Sequence, residues 1–186
     1  MASKTQPTTV ECTSRTELLG DRMIARLPDD ASTALPSRGQ VAAEVTVNDR
    51  PLTTVIEPDG RRGHWLSIDN DLRSELDLEP GDELRVVIEP TKSWPEPEVP
   101  DDLADALADA PDLSDTWQGI TPMARWEWVR WIGATNNPTT RERRVEVSLS
   151  KMRSGKRRPC CFDLSSCTDP EVAKSGKLPA PEQPGD

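Results

Sequence analysis

Four prolines in a short stretch, Pro90, Pro95, Pro97 and Pro100, interleaved with Glu96 and Glu98, divide this chain. Proline offers no backbone N–H and fixes its own φ, so such a stretch cannot pair inside a central strand and favours an extended, semi-rigid spacer. Apolar residues alternate before it and recur at helical spacing after it. A single continuous architecture is thereby excluded. The expectation is a β part over residues 8–90, a linker over 91–99, a helical part over 100–163 and a disordered tail over 164–186, where Ser, Pro, Lys and Glu leave almost nothing to bury.

In the β part, Val10-Glu-Cys-Thr-Ser-Arg15 and Met23-Ile-Ala-Arg-Leu27 read as short strands around a Gly20-Asp21 turn. Val41, Ala43, Val45 and Val47 fall on one face at period 2, and Asn48-Asp-Arg-Pro51 turns the chain into a return strand, Leu52–Ile56. His64-Trp-Leu-Ser-Ile68 and Glu83–Glu89 complete the set, with one or two helical turns expected at Asp71–Leu76. Many short strands between Gly and Pro turns indicate a small closed or partly open barrel.

Beyond the linker, Leu103, Ala106, Leu107 and Ala110 make one helical stripe ended by Pro111. A second helix takes Thr121 as N-cap and Pro122 at its first position, ending near Gly133. The third fits a capping box at Thr139-Thr-Arg-Glu142, with Val145, Leu149 and Met152 inward and Gly155 as the stop. At 100° per residue, Ala124, Trp128, Trp131 and Ile132 share the core side of the second helix, and Trp126 points the other way with Arg130 beside it. Trp126 is then either covered by the barrel or linker, or an exposed anchor. On the third helix Arg143, Arg144 and Lys151 point away from the core, and Arg141 lies at its edge, placed to pair with an acidic group of the first helix. The class is α+β, a small barrel followed by a short helical bundle.

Charge narrows the function. The net charge of -10 argues against nonspecific nucleic-acid binding. Its distribution is dipolar: residues 96–115 are acidic without a basic residue, and residues 141–158 are strongly basic. Either the two runs compensate each other or the second forms a partner-binding face. The single histidine, His64, lacks a nucleophile elbow or a phosphate loop, and reads as a barrel or rim residue. Cys12, Cys160, Cys161 and Cys167 lack CxxC spacing, so no metal and no cofactor is expected, and reduced thiols are; Arg157 and Arg158 near Cys160 and Cys161 leave redox sensing as a second reading. No apolar run is long enough for a bilayer span and the start lacks a signal-peptide apolar region, which makes cytoplasmic the default.

Several motifs resemble a known family. Val99-Pro-Asp-Asp-Leu-Ala-Asp-Ala-Leu107, Trp128-Val-Arg-Trp-Ile132, Thr140-Arg-Glu-Arg-Arg144 and Arg158-Pro-Cys-Cys-Phe162 resemble the YdeI or OmpD-associated family, often labelled bacteriocin-protection proteins. Leu27-Pro28, the Val41 to Ile56 hairpin, Leu72-Arg73 and Glu79-Pro-Gly-Asp82 resemble the domain of unknown function that often precedes it, which is similar to the double-split β-barrel of AbrB and MazE-like proteins. The chain departs from the pattern at Asn48-Asp49, where Gly is usual, and at Thr135-Asn-Asn137, where the family is Lys-rich. The resemblance implies a non-enzymatic binding or stress-protection protein acting against bacteriocins or cationic antimicrobial peptides. A nucleic-acid-binding regulator is the alternative. The residues expected to engage a protein, peptide or anionic partner are Trp126, Arg130, Arg143 and Arg144, with oligomeric state open.

Overall fold

The computed structural model describes residues 8–159, 168–169, 172–174 and 176–181. These form two compact units, residues 8–94 with 168, 172–174 and 176–181, and residues 95–159 with 169.

The first unit is a closed barrel. Its strands are β1 (Val10–Leu19), β2 (Arg22–Arg26), β3 (Val41–Val47), β4 (Arg50–Pro58), β5 (His64–Ile68) and β6 (Glu83–Pro90), in the order β1-β2-β5-β4-β3-β6, all antiparallel. Two strands divide themselves between neighbours. β1 pairs with β6 from Val10 to Arg15 and with β2 from Thr16 to Leu19, while β4 pairs with β3 from Arg50 to Ile56 and with β5 at Glu57 and Pro58. This sharing is what makes the barrel double-split. It also corrects the expected end of β1 at Arg15: the strand continues because Thr16 opens the second pairing, its Oγ1 donating to the Glu79 carbonyl at 2.6 Å.

Period 2 sets the core. Val41, Ala43, Val45 and Val47 are all buried, against Leu66 and Ile68 of β5 and Leu84, Val86 and Ile88 of β6. Two short helices join the strands: α1 (Asp29–Ala34), for which the sequence carried no apolar stripe, and α2 (Asn70–Glu75), where the Asp69 side chain caps by accepting from the Leu72 amide at 2.7 Å. Between β3 and β4, Asn48 and Asp49 take φ of 45° and 70°, the left-handed pair that a two-residue hairpin requires. Asn48 is anchored there, its Oδ1 accepting from the Arg85 amide at 2.8 Å.

The described part of the tail differs from the expectation of disorder. Leu178 is fully buried with Ile24 and Trp65, and Trp65 Nε1 donates to Thr168 Oγ1 at 2.8 Å. One buried leucine contributes about 1.5–3 kcal/mol, and the hydrogen bonds to the barrel add to it.

The second unit contains α3 (Asp101–Ala108), a 3-10 turn (Pro111–Leu113), α4 (Ser114–Gly119), α5 (Pro122–Gly133) and α6 (Pro138–Arg153). Residues 91–100 form neither helix nor strand. Thr121 caps α5 as expected, accepting from the Ala124 amide at 3.2 Å. Pro111 opens a turn instead of only ending a helix, and α4 follows it. α6 begins before the expected box: Asn137 accepts from the Thr140 amide at 3.0 Å and Pro138 takes the first position, so Thr139 and Glu142 lie within the helix. Leu103, Leu113, Trp128, Ile132 and Met152 are the fully buried large side chains here.

In the hairpin, glycine accepts positive φ without the Cβ penalty that Asp49 carries, and the Asp49 side chain makes no hydrogen bond or ion pair among the described residues. Asp49→Gly should raise the unfolding free energy by about 0.5–1 kcal/mol in a urea titration, whereas Asn48→Ala should lower it by removing the Arg85 contact.

Candidate functional site

α5 is buried on two sides of different chemistry. Ala124, Trp128 and Ile132 form the apolar side, as the helical projection predicts. Glu127 and Arg130, three residues apart, are also buried, and a buried charge requires a partner. Both partners lie beyond α6: Glu127 takes the Arg158 guanidinium through both oxygens, and Arg130 meets Asp169 at 3.1 Å. Trp128 Nε1 also donates to the Arg157 carbonyl at 3.1 Å, and Pro159 is buried. The segment following Gly155 is therefore a clasp over α5.

Pairing continues along the acidic run. Glu96 holds Arg125 at 2.6 Å, Asp102 of α3 holds Arg141 at 2.5 Å, and Asp112 holds Arg153 at 2.8 Å. The hydrogen bonds from Arg141 and Arg153 push the Asp102 and Asp112 carboxyls below their ordinary range. Two pairs, Asp102–Arg141 and Asp112–Arg153, thus join the acidic and basic runs, and Arg141 pairs with the first helix as its position predicted.

The four expected binding residues do not form one patch. Trp126 is half-buried and its Nε1 donates to the Pro95 carbonyl at 2.8 Å, so the linker covers it. Arg130 is buried in its ion pair, a correction to its reading as a surface group. Arg143 is exposed. Arg144, expected to point outward, folds back: its Nη1 donates to the Trp131 carbonyl at 2.7 Å and its guanidinium lies 5.4 Å from the Trp131 ring. Lys151 lies 5.4 Å from the same ring. Arg144 and Lys151 are two turns apart on α6, about 10.5 Å, which is the spacing that admits one ring between two cations. Trp131 in turn meets Trp128 edge-on, with centroids 6.1 Å apart. A shallow cleft of about 330 Å³ lies elsewhere in the unit, lined by Asp115, Thr116, Gly119, Ile120, Gly155 and Arg157.

Residues 96–155 match the family described as Bacteriocin-protection, YdeI or OmpD-Associated, and residues 10–88 match a domain of unknown function, DUF1905. The helical part of the chain is thus similar to the YdeI or OmpD-associated family, and the barrel to DUF1905. No curated protein matches it. The YdeI or OmpD-associated segment spans α3 to the end of α6, including the ion pairs to Asp102 and Asp112 but neither Arg158 nor Asp169. DUF1905 spans the barrel nearly strand for strand.

Two polar features of the chain were not legible from spacing. Glu127 and Arg130 look like surface residues within a Trp-rich helix, and their partners are remote in sequence. His64 is also more than a rim residue. It is sealed within the barrel, where Nε2 donates to the Gly39 carbonyl at 3.0 Å, which leaves Nδ1 to accept from Ser32 Oγ at 2.6 Å. The order of protons suits a Ser–His pair, but Ser32 is fully buried and cannot meet a substrate. Burial lowers the His64 pKa, since the cation would lose its water. Cys12 is half-buried and burial pushes its thiol up, away from reactivity. Cys160, Cys161 and Cys167 lie outside the described residues. Among the described residues no three His, Cys, Asp or Glu side chains gather as metal ligands would, and no helix is long and apolar enough to cross a membrane.

Arg130→Ala would remove the counter-charge that Asp169 meets at 3.1 Å and should lower stability by about 3 kcal/mol in chemical denaturation. Arg143→Ala should fall within about 0.5 kcal/mol of the parent. For His64 the unfolded chain takes up the proton first, because the folded pKa is depressed; its contribution is complete above pH 6.5 and declines as pH falls below that value. His64→Gln keeps a donor and an acceptor, and should flatten the loss of stability below pH 6.5 in urea midpoints.

Proposed function

We propose that this protein is a non-enzymatic, cytoplasmic binding protein of the YdeI or OmpD-associated type that protects against bacteriocins or cationic antimicrobial peptides by retaining them on an acidic surface. The observation that carries this reading is the outer face of α3. Asp101 and Asp105 on that helix and Asp109 at its C-cap recur every fourth residue, all three are exposed, and none has an ion pair among the described residues. Most arginines of the same unit are held by carboxylates, so α3 presents its negative charge without local compensation. The net charge of -10 adds long-range attraction for cations. The family's description names bacteriocin protection, and the buried Ser32–His64 pair supports a non-enzymatic reading because substrate has no route to it.

Within the barrel, Arg61 of the Arg61-Arg62 pair donates to the Leu178 carbonyl at 3.3 Å, and no feature there favours nucleic acid over a peptide partner. A Lys-rich amphipathic peptide should bind the full chain at low salt and weaken steeply as salt rises. Replacing Asp101, Asp105 and Asp109 together by Asn should weaken binding on the order of tenfold, with thermal stability retained. Equal affinity of parent and triple variant in fluorescence anisotropy would remove α3 as the binding face.

A further inference from the structure

The outer face of β2 and β5 carries an occupied groove. Ile24 on β2 and Trp65 on β5 point outward yet are completely buried, because Leu178 lies on them. The backbone around Leu178 is met with equal completeness. Its N–H donates to the Asp59 carbonyl at 2.9 Å, its carbonyl accepts from Arg61 Nε at 3.3 Å, and the next carbonyl, of Pro179, accepts from Arg26 Nη2 at 2.6 Å. Arg26 is itself aimed by Glu17, which holds it at 2.7 Å. Pro179 has no N–H to satisfy, and it restricts Leu178 to extended conformations.

The barrel side is shaped to fit. Asp59 Oδ1 accepts from the amides of Arg61 and Gly63, at 2.6 and 2.8 Å, and so fixes the β4–β5 loop. Within that loop Gly60 admits the incoming chain: a Cβ there would stand 2.6 Å from the Gly176 carbonyl oxygen. Groove and occupant differ in one respect. Ile24, Arg26, Asp59, Arg61 and Trp65 all lie within residues 10–88, the matched barrel segment, while residues 168–181 lie outside both matched segments.

We propose that this face is a peptide-recognition groove for an extended Leu-Pro segment, and that the chain's own residues 176–181 occupy it in cis. An apolar slot takes the leucine, and three main-chain contacts read backbone, so neighbouring side chains are free to vary. Lys174 and Lys177 face solvent, in keeping with that. The tail acts as a resident competitor. A partner bearing Leu-Pro must displace it, and its local concentration sets the threshold for doing so.

The test uses the full chain and a labelled synthetic peptide covering residues 172–181. Leu178→Asp in the protein empties the slot, so that variant should bind the peptide at least tenfold more tightly than the parent. A peptide carrying the same Leu178→Asp change should not bind. Equal binding by parent and variant, or no binding to a variant that keeps its circular dichroism and melting transition, overturns the proposal. If the variant does not fold, amide exchange on the parent decides. Excess peptide should accelerate exchange of the Leu178 amide, and unchanged protection at millimolar peptide overturns it.

Discussion

The expense of placing a charge where water cannot reach it governs the helical unit. α5 buries Glu127 and Arg130 as well as Trp128, and each of the two charges must find a counter-charge. Arg158 and Asp169 supply it, so the helix is fixed from beyond the end of α6 as well as from its apolar side. The other pairs, at Arg125, Arg141 and Arg153, fix the linker, α3 and the 3-10 turn in the same way, with more exposed and individually weaker contacts. What is left over determines the surface. In this dipolar unit most arginines are engaged, and among the described residues Asp101, Asp105 and Asp109 along α3 have no ion pair.

The same bookkeeping explains what the sequence disclosed. Period-2 alternation in β3 and the apolar positions of α5 were legible because burial of carbon follows the repeat of the backbone. Thr121-Pro122 was legible because cap and first position adjoin. Asn137-Pro138 carries the same signal, but the Thr139–Glu142 spacing competed with it, and the earlier pair forms the cap. The binding residues fared worse. Trp126 and Arg130 were sorted by angle alone, and angle does not report that Pro95 or Asp169 lies opposite. Arg144 was placed on the correct side of α6, yet its long side chain folds back across Trp131.

On the barrel, the missing information lay in the composition of the tail. A segment of Ser, Lys and Pro looks unable to order itself, and one leucine among them is easy to discount. The surface it meets is what changes the balance. Trp65 and Ile24 on the outer face need cover, and Leu178 with its neighbouring carbonyls matches them. Order here depends on the receiving surface, a property that no window along the tail contains.

The pairing pattern of β6 has a consequence for synthesis. β6 is the last strand, and it bonds to β1 on one side and β3 on the other, with Val10 opposite Ile88. Until Pro90 has left the ribosome, β3 and the first half of β1 each present an open edge to whatever is nearby. The helices of the second unit close over shorter separations than β1 and β6, the pairs Asp102–Arg141 and Asp112–Arg153 among them. A nascent chain therefore carries its most association-prone surface early, and the six residues of β1 that wait for β6 are where a chaperone, or a neighbouring nascent chain, would first take hold.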